Sequence, residues 1–354
     1  LLRPYGLDGV QLYLENVVEN SVFPAVGAGE NPVTPEYLAQ IRACTDALGL
    51  ELIPHFEILS HLENLLALPE MEKYRDIPEG GHCCRIDQPE FREKMKMYLK
   101  EVIPYFSSDY VHCGGDEAFD LGLGRSRAYL EKHGLEKTFA DYVNDIAAFL
   151  RPLGKTMLFY ADESIVYPKL RPLLSKEIVM VNWAYCGRNE VYEVENYHYC
   201  RHAAAVEGHR FWVTGNDMAE YVFLPFERLS ENVAIWRELG AEAEAFVVSD
   251  WGSYENVNPY VLTILGTVYA LKAFGNADYS QENFIADAES LILNRRDDGF
   301  RAAFRILLDA GGTRYWRPEL LYRGPLLPAR LLEDPDSRGL CLGAGMTDPD
   351  KLEQ

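Results

Sequence analysis

The chain has 354 residues, of which 48% are hydrophobic and 25% charged, and its formal net charge at pH 7 is −21. This is a globular composition, long enough for one large core or two smaller ones, with no run of 18 apolar residues that could cross a membrane. The negative charge repels nucleic acid and anionic membranes, so we expect neither as a partner.

Seven short apolar runs recur along the chain, each followed by a turn and a helical pattern. Several runs are almost continuously apolar, as parallel strands buried on both faces are. This alternation predicts an α/β fold, the (β/α)8 TIM barrel, with a doubly wound open sheet as the alternative. No Gly-x-Gly-x-x-Gly follows a strand, which argues against a dinucleotide-binding sheet. The predicted strands cover residues 8–15, 50–57, 109–115, 155–162, 177–185, 209–216 and 244–252.

Helices are predicted between these strands, with capping residues at many of their ends. Thr34 precedes Pro35 at one start, and Gly49, Gly154 and Gly240 follow helical patterns at their ends. The predicted helices cover residues 34–49, 88–106, 137–154, 225–240, 258–275 and 281–309.

Seven strands are one fewer than a closed barrel needs. The chain opens on LLRPYGLDG, which resembles the end of a helix, so we expect the first barrel strand to lie upstream. Residues 1–309 are predicted to form the catalytic barrel. Residues 310–354 are rich in glycine, proline and charge and are predicted to form a C-terminal extension packed on or near it.

The cysteines predict the compartment. There are seven, an odd number with irregular spacing and no Cys-x-x-Cys pair, so neither a disulfide framework nor a metal knuckle is expected. The N-terminus lacks the long apolar core of a signal peptide. Reduced thiols and a cytoplasmic location are therefore predicted, and the oligomeric state stays open.

Acids and aromatic residues follow the predicted strands. In a TIM barrel, catalytic groups lie at the carboxyl ends of the strands. Aromatic faces stack on sugar C–H groups, and carboxylates bind hydroxyls and transfer protons. The candidates at these ends are Glu15, His61, Asp116, Glu117, Tyr160, Asp162, Glu163, Trp183, Tyr185, Asn216, Asp217, Asp250, Trp251 and Glu255.

The most informative stretch is VHCGGDEAFDLG, in which Asp116 and Glu117 are adjacent. Most glycosidases need two carboxyl groups on opposite sides of the scissile bond, which neighbouring residues cannot provide. If Glu117 is the proton donor, Asp116 must therefore address another atom of the sugar. A 2-acetamido group provides one, since its carbonyl oxygen can attack the anomeric carbon while Asp116 holds its N–H. Gly114 and Gly115 are expected to permit a tight turn and close approach of the sugar.

This stretch resembles the His-x-Gly-Gly-Asp-Glu signature of family 20 glycoside hydrolases, the β-N-acetylhexosaminidases. The segments LYLENVVE and LELIPHFEILSHLENLL are similar to the hexosaminidase D-like branch of that family. LFYADE, VNWAY and SDWGSYE resemble later strand ends, although Tyr160 and Ala161 depart from the tryptophan-containing form. The resemblance covers roughly residues 5–275 and implies a TIM barrel, substrate-assisted retaining hydrolysis and no cofactor or metal.

The resemblance also implies roles for individual residues. Asp116 would orient the acetamido group, Glu117 would be the acid and base, and His61 would hydrogen-bond toward Glu117. The remaining residues would bind substrate: Trp183 and Trp251 as pocket walls, Tyr185 as donor to the acetamido oxygen, Glu255 at the C4 and C6 hydroxyls, and Glu15 and Asp162 as pocket-lining groups. The first-strand arginine of many family members has no counterpart in this sequence.

Two other functions stay open at this stage. One is a metal-dependent TIM-barrel hydrolase using His55, His61, His112 and Asp116, although the usual His-x-His pair is missing. The other is a catalytically silent carbohydrate-binding barrel. In either sugar-binding case the partner would be a carbohydrate with a terminal 2-acetamido sugar, either N-acetylglucosamine or N-acetylgalactosamine.

Overall fold

The structure, a computed structural model, describes residues 1–15, 17–26, 32–185, 187, 205–219, 224–251 and 259–310. Seven strands form one sheet in sequence order, and each pairs in parallel with the next. They are β1 (Gly9–Tyr13), β2 (Glu51–His55), β3 (Tyr110–His112), β4 (Thr156–Tyr160), β5 (Val179–Trp183), β6 (Phe211–Asn216) and β7 (Phe246–Ser249). The sheet is a partial (β/α)8 barrel, which confirms the predicted TIM fold.

The central strands of the sheet are more buried than its two edge strands, β1 and β7. Four of the five residues of β2, β4 and β5 are buried, as the apolar runs predict for strands covered on both faces. Every residue of β1 and β7 is only half-buried. Among the described residues no backbone ladder joins these two strands, so a seam lies between them.

Ten helices are described in the same part of the chain. The Thr34 hydroxyl accepts a hydrogen bond from the Tyr37 N–H at 3.2 Å, so the predicted cap is present. The helices are α1 (Pro35–Ala47), α2 (Glu63–Leu66), α3 (Pro89–Val102), α4 (Arg127–His133), α5 (Leu135–Leu150), α6 (Asp162–Val166), α7 (Phe226–Leu239), α8 (Tyr260–Gly275), α9 (Gln281–Leu293) and α10 (Asp298–Ala310).

The prediction of one helix over 281–309 is wrong. Asn294 has the left-handed backbone angle φ of 50°, which ends α9. The Asp297 carboxylate then accepts the Phe300 N–H at 2.9 Å at the start of α10. The predicted extension over 310–354 lies outside the described residues apart from the backbone of Ala310.

Hydrophobic clusters cover both faces of the sheet. Ile53, Leu158, Val179, Val181 and Trp212 pack inside the barrel, while a larger cluster joins the outer faces of the strands to α1, α3 and α5.

Cys44, Cys83, Cys84 and Cys113 are free thiols; the other three cysteines lie outside the described residues. None of the described helices combines the length and the apolar character needed to cross a membrane.

Candidate active site

The turn that carries Asp116 and Glu117 begins where β3 ends. The backbone angle φ is 55° at Gly114, 87° at Gly115 and 52° at Glu117, so three of four consecutive residues are left-handed. A Cβ at Gly114 would lie 1.8 Å from Glu57 Oε2, and one at Gly115 would lie 2.1 Å from the Phe159 ring. The glycines therefore make room for neighbouring protein side chains, and not for the sugar as expected.

Glu57 lies under this turn in a buried hydrogen-bond chain. Its Oε2 accepts the Gly115 N–H at 3.1 Å, and its Oε1 lies 3.1 Å from Nε2 of His55. The Gln11 side-chain nitrogen lies 3.0 Å from Nδ1 of His55, so the His55 proton is assigned to Nε2 and donated to Glu57. Burial raises the pKa of Glu57 to about 8 and lowers that of His55 to about 3.

Two further acids hold the turn from the end of β4. Oδ2 of Asp162 accepts the Glu117 N–H at 2.9 Å, and Oε1 of Glu163 accepts the Ala118 N–H at 2.8 Å. Both side chains are buried, and burial raises the pKa of each, that of Glu163 to about 8. Asp162 therefore lies behind the turn, and the predicted pocket-lining role does not match its position.

His61 lies against both acids of the pair. Its Nε2 is 3.4 Å from Glu117 Oε2 and 3.6 Å from Asp116 Oδ2, and its own backbone φ is 48°. Burial alone would lower the pKa of His61, but the interaction with Glu117 and the charge of Asp116 raise it to about 10. The imidazole is therefore a cation between two carboxyl groups.

Asp116 differs from its neighbour in exposure. Its side chain is 13% exposed, against 35% for Glu117. Burial, followed by the charge of Glu57, raises the pKa of Asp116 well above its usual range. Within the described part of the chain, Asp116 Oδ1 has no hydrogen-bond partner. That oxygen therefore has the capacity to accept a further hydrogen bond.

Aromatic side chains form the opposite wall. The Trp251 Nε1–H donates to the Tyr185 hydroxyl at 2.8 Å, and Ser249 Oγ lies 3.4 Å from the same hydroxyl. The rings of Trp183 and Tyr185 are 5.3 Å apart, and those of Tyr13 and Trp251 are 5.1 Å apart. These rings come from β1 and from the ends of β5 and β7, so they meet across the seam.

Glu15 lies at the end of β1 with a left-handed φ of 41°. Its Oε1 accepts the Tyr13 hydroxyl at 3.3 Å, and its Oε2 accepts the Asn64 amide at 3.0 Å. Non-glycine residues in this backbone region are uncommon and cluster at functional sites. Glu15, His61 and Glu117 are three such residues at one end of the barrel.

A cavity of about 1470 Å³ joins these groups and continues along the seam between β1 and β7. Glu255, predicted to bind the C4 and C6 hydroxyls, lies outside the described residues. The residues with a predicted role that line the cavity are Glu15, His61, Asp116, Glu117, Trp183, Tyr185 and Trp251. The strand-end candidates Tyr160 and Asp250 line it as well.

The sequence did not identify Glu57 or Tyr13 as site residues. Glu57 is an acid inside the apolar stretch LIPHFEIL, and a charge at such a buried position was the available signal. Glu163 appeared among the strand-end acids without a role.

The four residues of the metal hypothesis do not converge among the described residues. His55 is bonded to Glu57 and Gln11, and Nδ1 of His112 accepts the Gly114 N–H at 3.0 Å. The described groups whose ligand atoms lie close enough for one ion are His61 with Glu63 and His82, His82 with Cys83 and Asp120, and His61 with Asp116 and Glu117.

Carboxyl groups, an imidazole and aromatic rings thus meet at the carboxyl ends of the barrel strands, where TIM-barrel enzymes have their active sites. Residues 27–202 match the catalytic domain of glycosyl hydrolase family 20. The chain belongs to glycoside hydrolase family 20.

Solved structures share the fold at low sequence identity. The chitobiase of Flavobacterium johnsoniae is 16% identical, with a TM-score of 0.61 over 86% of this chain and 48% of the chitobiase. A β-N-acetylhexosaminidase of Bacteroides fragilis is 15% identical, with a TM-score of 0.61 over 83% of this chain and 65% of the relative.

An exo-β-N-acetylglucosaminidase of Vibrio harveyi, in complex with N-acetylglucosamine, is also 15% identical, with a TM-score of 0.61 over 83% of this chain and 54% of the relative. The chain thus spans less than two thirds of each of these three relatives. A comparison with curated protein sequences gave no match.

Proposed function

We propose that this protein is an exo-acting β-N-acetylhexosaminidase that releases a terminal 2-acetamido sugar. The observation that carries the proposal is the contrast between two adjacent acids. Asp116 is nearly buried and has one oxygen without a partner among the described residues, whereas Glu117 is more exposed and contacts the same imidazole. Membership of family 20 supports this function, as does the V. harveyi relative with N-acetylglucosamine.

In the proposed first step, the carbonyl oxygen of the substrate's acetamido group attacks the anomeric carbon. The bond from that carbon to the leaving oxygen breaks, and Glu117 donates a proton to the leaving oxygen. The product is a cyclic oxazolinium ion. In the second step Glu117 takes a proton from water, the water oxygen bonds to the anomeric carbon, and the ring opens with net retention.

The other side chains hold the acetamido group in the attacking position. Asp116 Oδ1 accepts the acetamido N–H. The His61 cation opposes the rise in the Asp116 pKa and so favours the carboxylate, which stabilises the positive charge that develops on the ring. The Tyr185 hydroxyl, which accepts the Trp251 N–H and lies 3.4 Å from Ser249 Oγ, donates its hydrogen to the acetamido oxygen. Trp183 and Trp251 flank the sugar, and Glu15 binds its hydroxyls.

The test is a rate comparison across 4-nitrophenyl β-glycosides that differ only at C2 and C4. We expect hydrolysis of the N-acetylglucosaminide or the N-acetylgalactosaminide and little action on the glucoside, which has no internal nucleophile. Equal rates on the glucoside and the N-acetylglucosaminide would contradict acetamido participation. A thiazoline analogue of the oxazoline should inhibit strongly, because it resembles the intermediate.

The observations favour this function over the metal-dependent alternative, because His55 and His112 already hold hydrogen bonds within the protein. Assay in the presence of a chelator separates the two, since the proposed reaction keeps its full rate there. The hexosaminidase D-like branch, the cytoplasmic location and the exclusion of nucleic-acid and membrane partners stay predictions.

A further inference from the structure

Three N–H groups of the turn with the catalytic pair are held by acids, while the Gly114 carbonyl oxygen accepts the backbone N–H of Tyr160. The N–H groups of Gly115, Glu117 and Ala118 each donate to a side-chain carboxyl oxygen. These oxygens belong to three buried acids from two flanking strand ends: Glu57 beyond β2, and Asp162 and Glu163 beyond β4.

This arrangement is costly for folding. A buried carboxyl group loses its hydration, and here each lies near the charge of another acid. A turn of this kind can satisfy its N–H groups with carbonyl oxygens or water at lower cost. Three buried acids under one four-residue turn therefore indicate a requirement beyond stability.

Asp162 has the most direct connection to the proposed acid. It accepts the N–H of Glu117 itself, a non-glycine residue with φ of 52°. The left-handed conformation is unfavourable for a non-glycine residue, so an external contact is needed to hold it. Asp162 is 2% exposed and starts α6, so it is a fixed point behind the turn.

We propose that Asp162 is a positioning residue that fixes the left-handed backbone of Glu117 and so aims its carboxyl group at the leaving oxygen. Glu163 holds the adjacent Ala118 N–H in the same way. This inference rests on the proposed function, because it needs Glu117 to be the proton donor. Asp162 acts through Glu117 and does not touch the sugar, so it should affect kcat more than KM.

The experiment compares Asp162→Ala with Asp162→Asn on two aryl N-acetylglucosaminides. One has a poor leaving group, phenol, which needs a proton donor; the other has a good one, 2,4-dinitrophenol, which does not. Asparagine keeps an oxygen that can accept the Glu117 N–H, whereas alanine has none. We expect Asp162→Ala to lower kcat/KM about 100-fold on the phenyl substrate, the usual cost of a misplacement of about 1 Å. Its kcat/KM on the dinitrophenyl substrate, which reports only the first step, should change little, and Asp162→Asn should stay near the wild-type kcat/KM on both.

Asp76 provides the matched control. It is another buried acid, and it accepts the N–H groups of Gly122 and Ser126 in the loop after the pair. Asp76→Ala should lower the melting temperature, and any loss of rate should be the same for the two substrates. In a Glu117→Gln background, Asp162→Ala should cause no further loss, since both changes remove the same step.

Three results would overturn the proposal. They are an equal loss on both substrates with Asp162→Ala, an unchanged rate on both, and an Asn variant as impaired as the Ala variant. If Asp162→Ala does not fold, Glu163→Ala and Glu163→Gln provide the same comparison through the Ala118 N–H. Failure of the proposed function gives a different result, because the wild-type protein would then hydrolyse neither substrate.

Discussion

The two sides of the cavity are built from different chemistry. On the side of β2, β3 and β4, buried carboxyl groups accept backbone N–H groups, and His61 lies between Asp116 and Glu117. On the side of β5, β7 and β1, aromatic rings contact one another, and the polar contacts include the hydrogen bond from Trp251 to Tyr185.

This difference matches two requirements of glycoside hydrolysis. Proton transfer depends on atomic positions within fractions of an ångström, and hydrogen bonds to a fixed backbone provide that accuracy. Recognition of a sugar ring depends on flat apolar surface and tolerates small displacements. The side of β2, β3 and β4, here called the acid side, should therefore determine kcat. The side of β5, β7 and β1, the aromatic side, should contribute mainly to binding.

The largest expected effect is on the acid side. Glu117→Gln removes the proposed proton donor while keeping the shape of the side chain. We expect kcat on a phenyl N-acetylglucosaminide to fall by about 10²–10⁴-fold, the usual contribution of a general acid. Steady-state kinetics of the purified variant checks this. Glu131→Gln, on an exposed helix face, is the control and should leave the rate unchanged. Retention of the wild-type rate by Glu117→Gln would rule out its assigned role.

Asp116→Asn should come next, because it tests the orientation of the internal nucleophile. An amide cannot stabilise the charge of the oxazolinium as a carboxylate does, so we expect kcat to fall about 10²–10³-fold. Unlike the loss with Glu117→Gln, this loss should be similar for phenyl and dinitrophenyl leaving groups. A variant that loses activity only on the phenyl substrate would place Asp116 in proton transfer instead.

The strands and many of the cavity-lining residues could be predicted from the sequence. The strands followed from continuous apolar runs, and the rule that catalytic groups lie at the carboxyl ends of barrel strands identified nine residues that line the cavity. Both inferences depend on local pattern and on one property of the fold. The break at Asn294 was missed because one residue in a left-handed conformation ends α9 without interrupting the helical pattern.

The buried acids that hold the turn with Asp116 and Glu117 could not be predicted in the same way. Asp162 and Glu57 look like other acids near strand ends, and only tertiary packing decides whether a carboxyl group faces the cavity or an N–H group of the next strand's loop. The glycines of the motif show the same limit. Their sequence predicted a tight turn, but the groups that need the space, Glu57 and Phe159, come from neighbouring strands.

Tyr185→Phe tests whether the aromatic side also contributes to chemistry. The hydroxyl accepts the Trp251 N–H and is proposed to donate to the acetamido oxygen. Loss of one such hydrogen bond is worth about 1 kcal/mol, so we expect kcat/KM to fall by up to about tenfold. Tyr37→Phe is the control, because the Tyr37 side chain is exposed. If the loss with Tyr185→Phe lies wholly in KM, the aromatic side serves binding alone.

The smallest effect concerns stability on the acid side. The pKa of His61 is about 10 in the folded protein, above its ordinary value of 6.5, so its protonated form stabilises the fold. That contribution is fully present below pH 6.5 and is lost as pH rises through 10. Wild type should therefore be more stable than His61→Gln at pH 6, by about 1 kcal/mol for a solvent-screened pair, and the gap should close toward pH 10. Urea unfolding of both proteins at several pH values measures this gap. A gap that widened with pH would mean that His61 is neutral in the folded state, and the contacts with Asp116 and Glu117 would not be ion pairs.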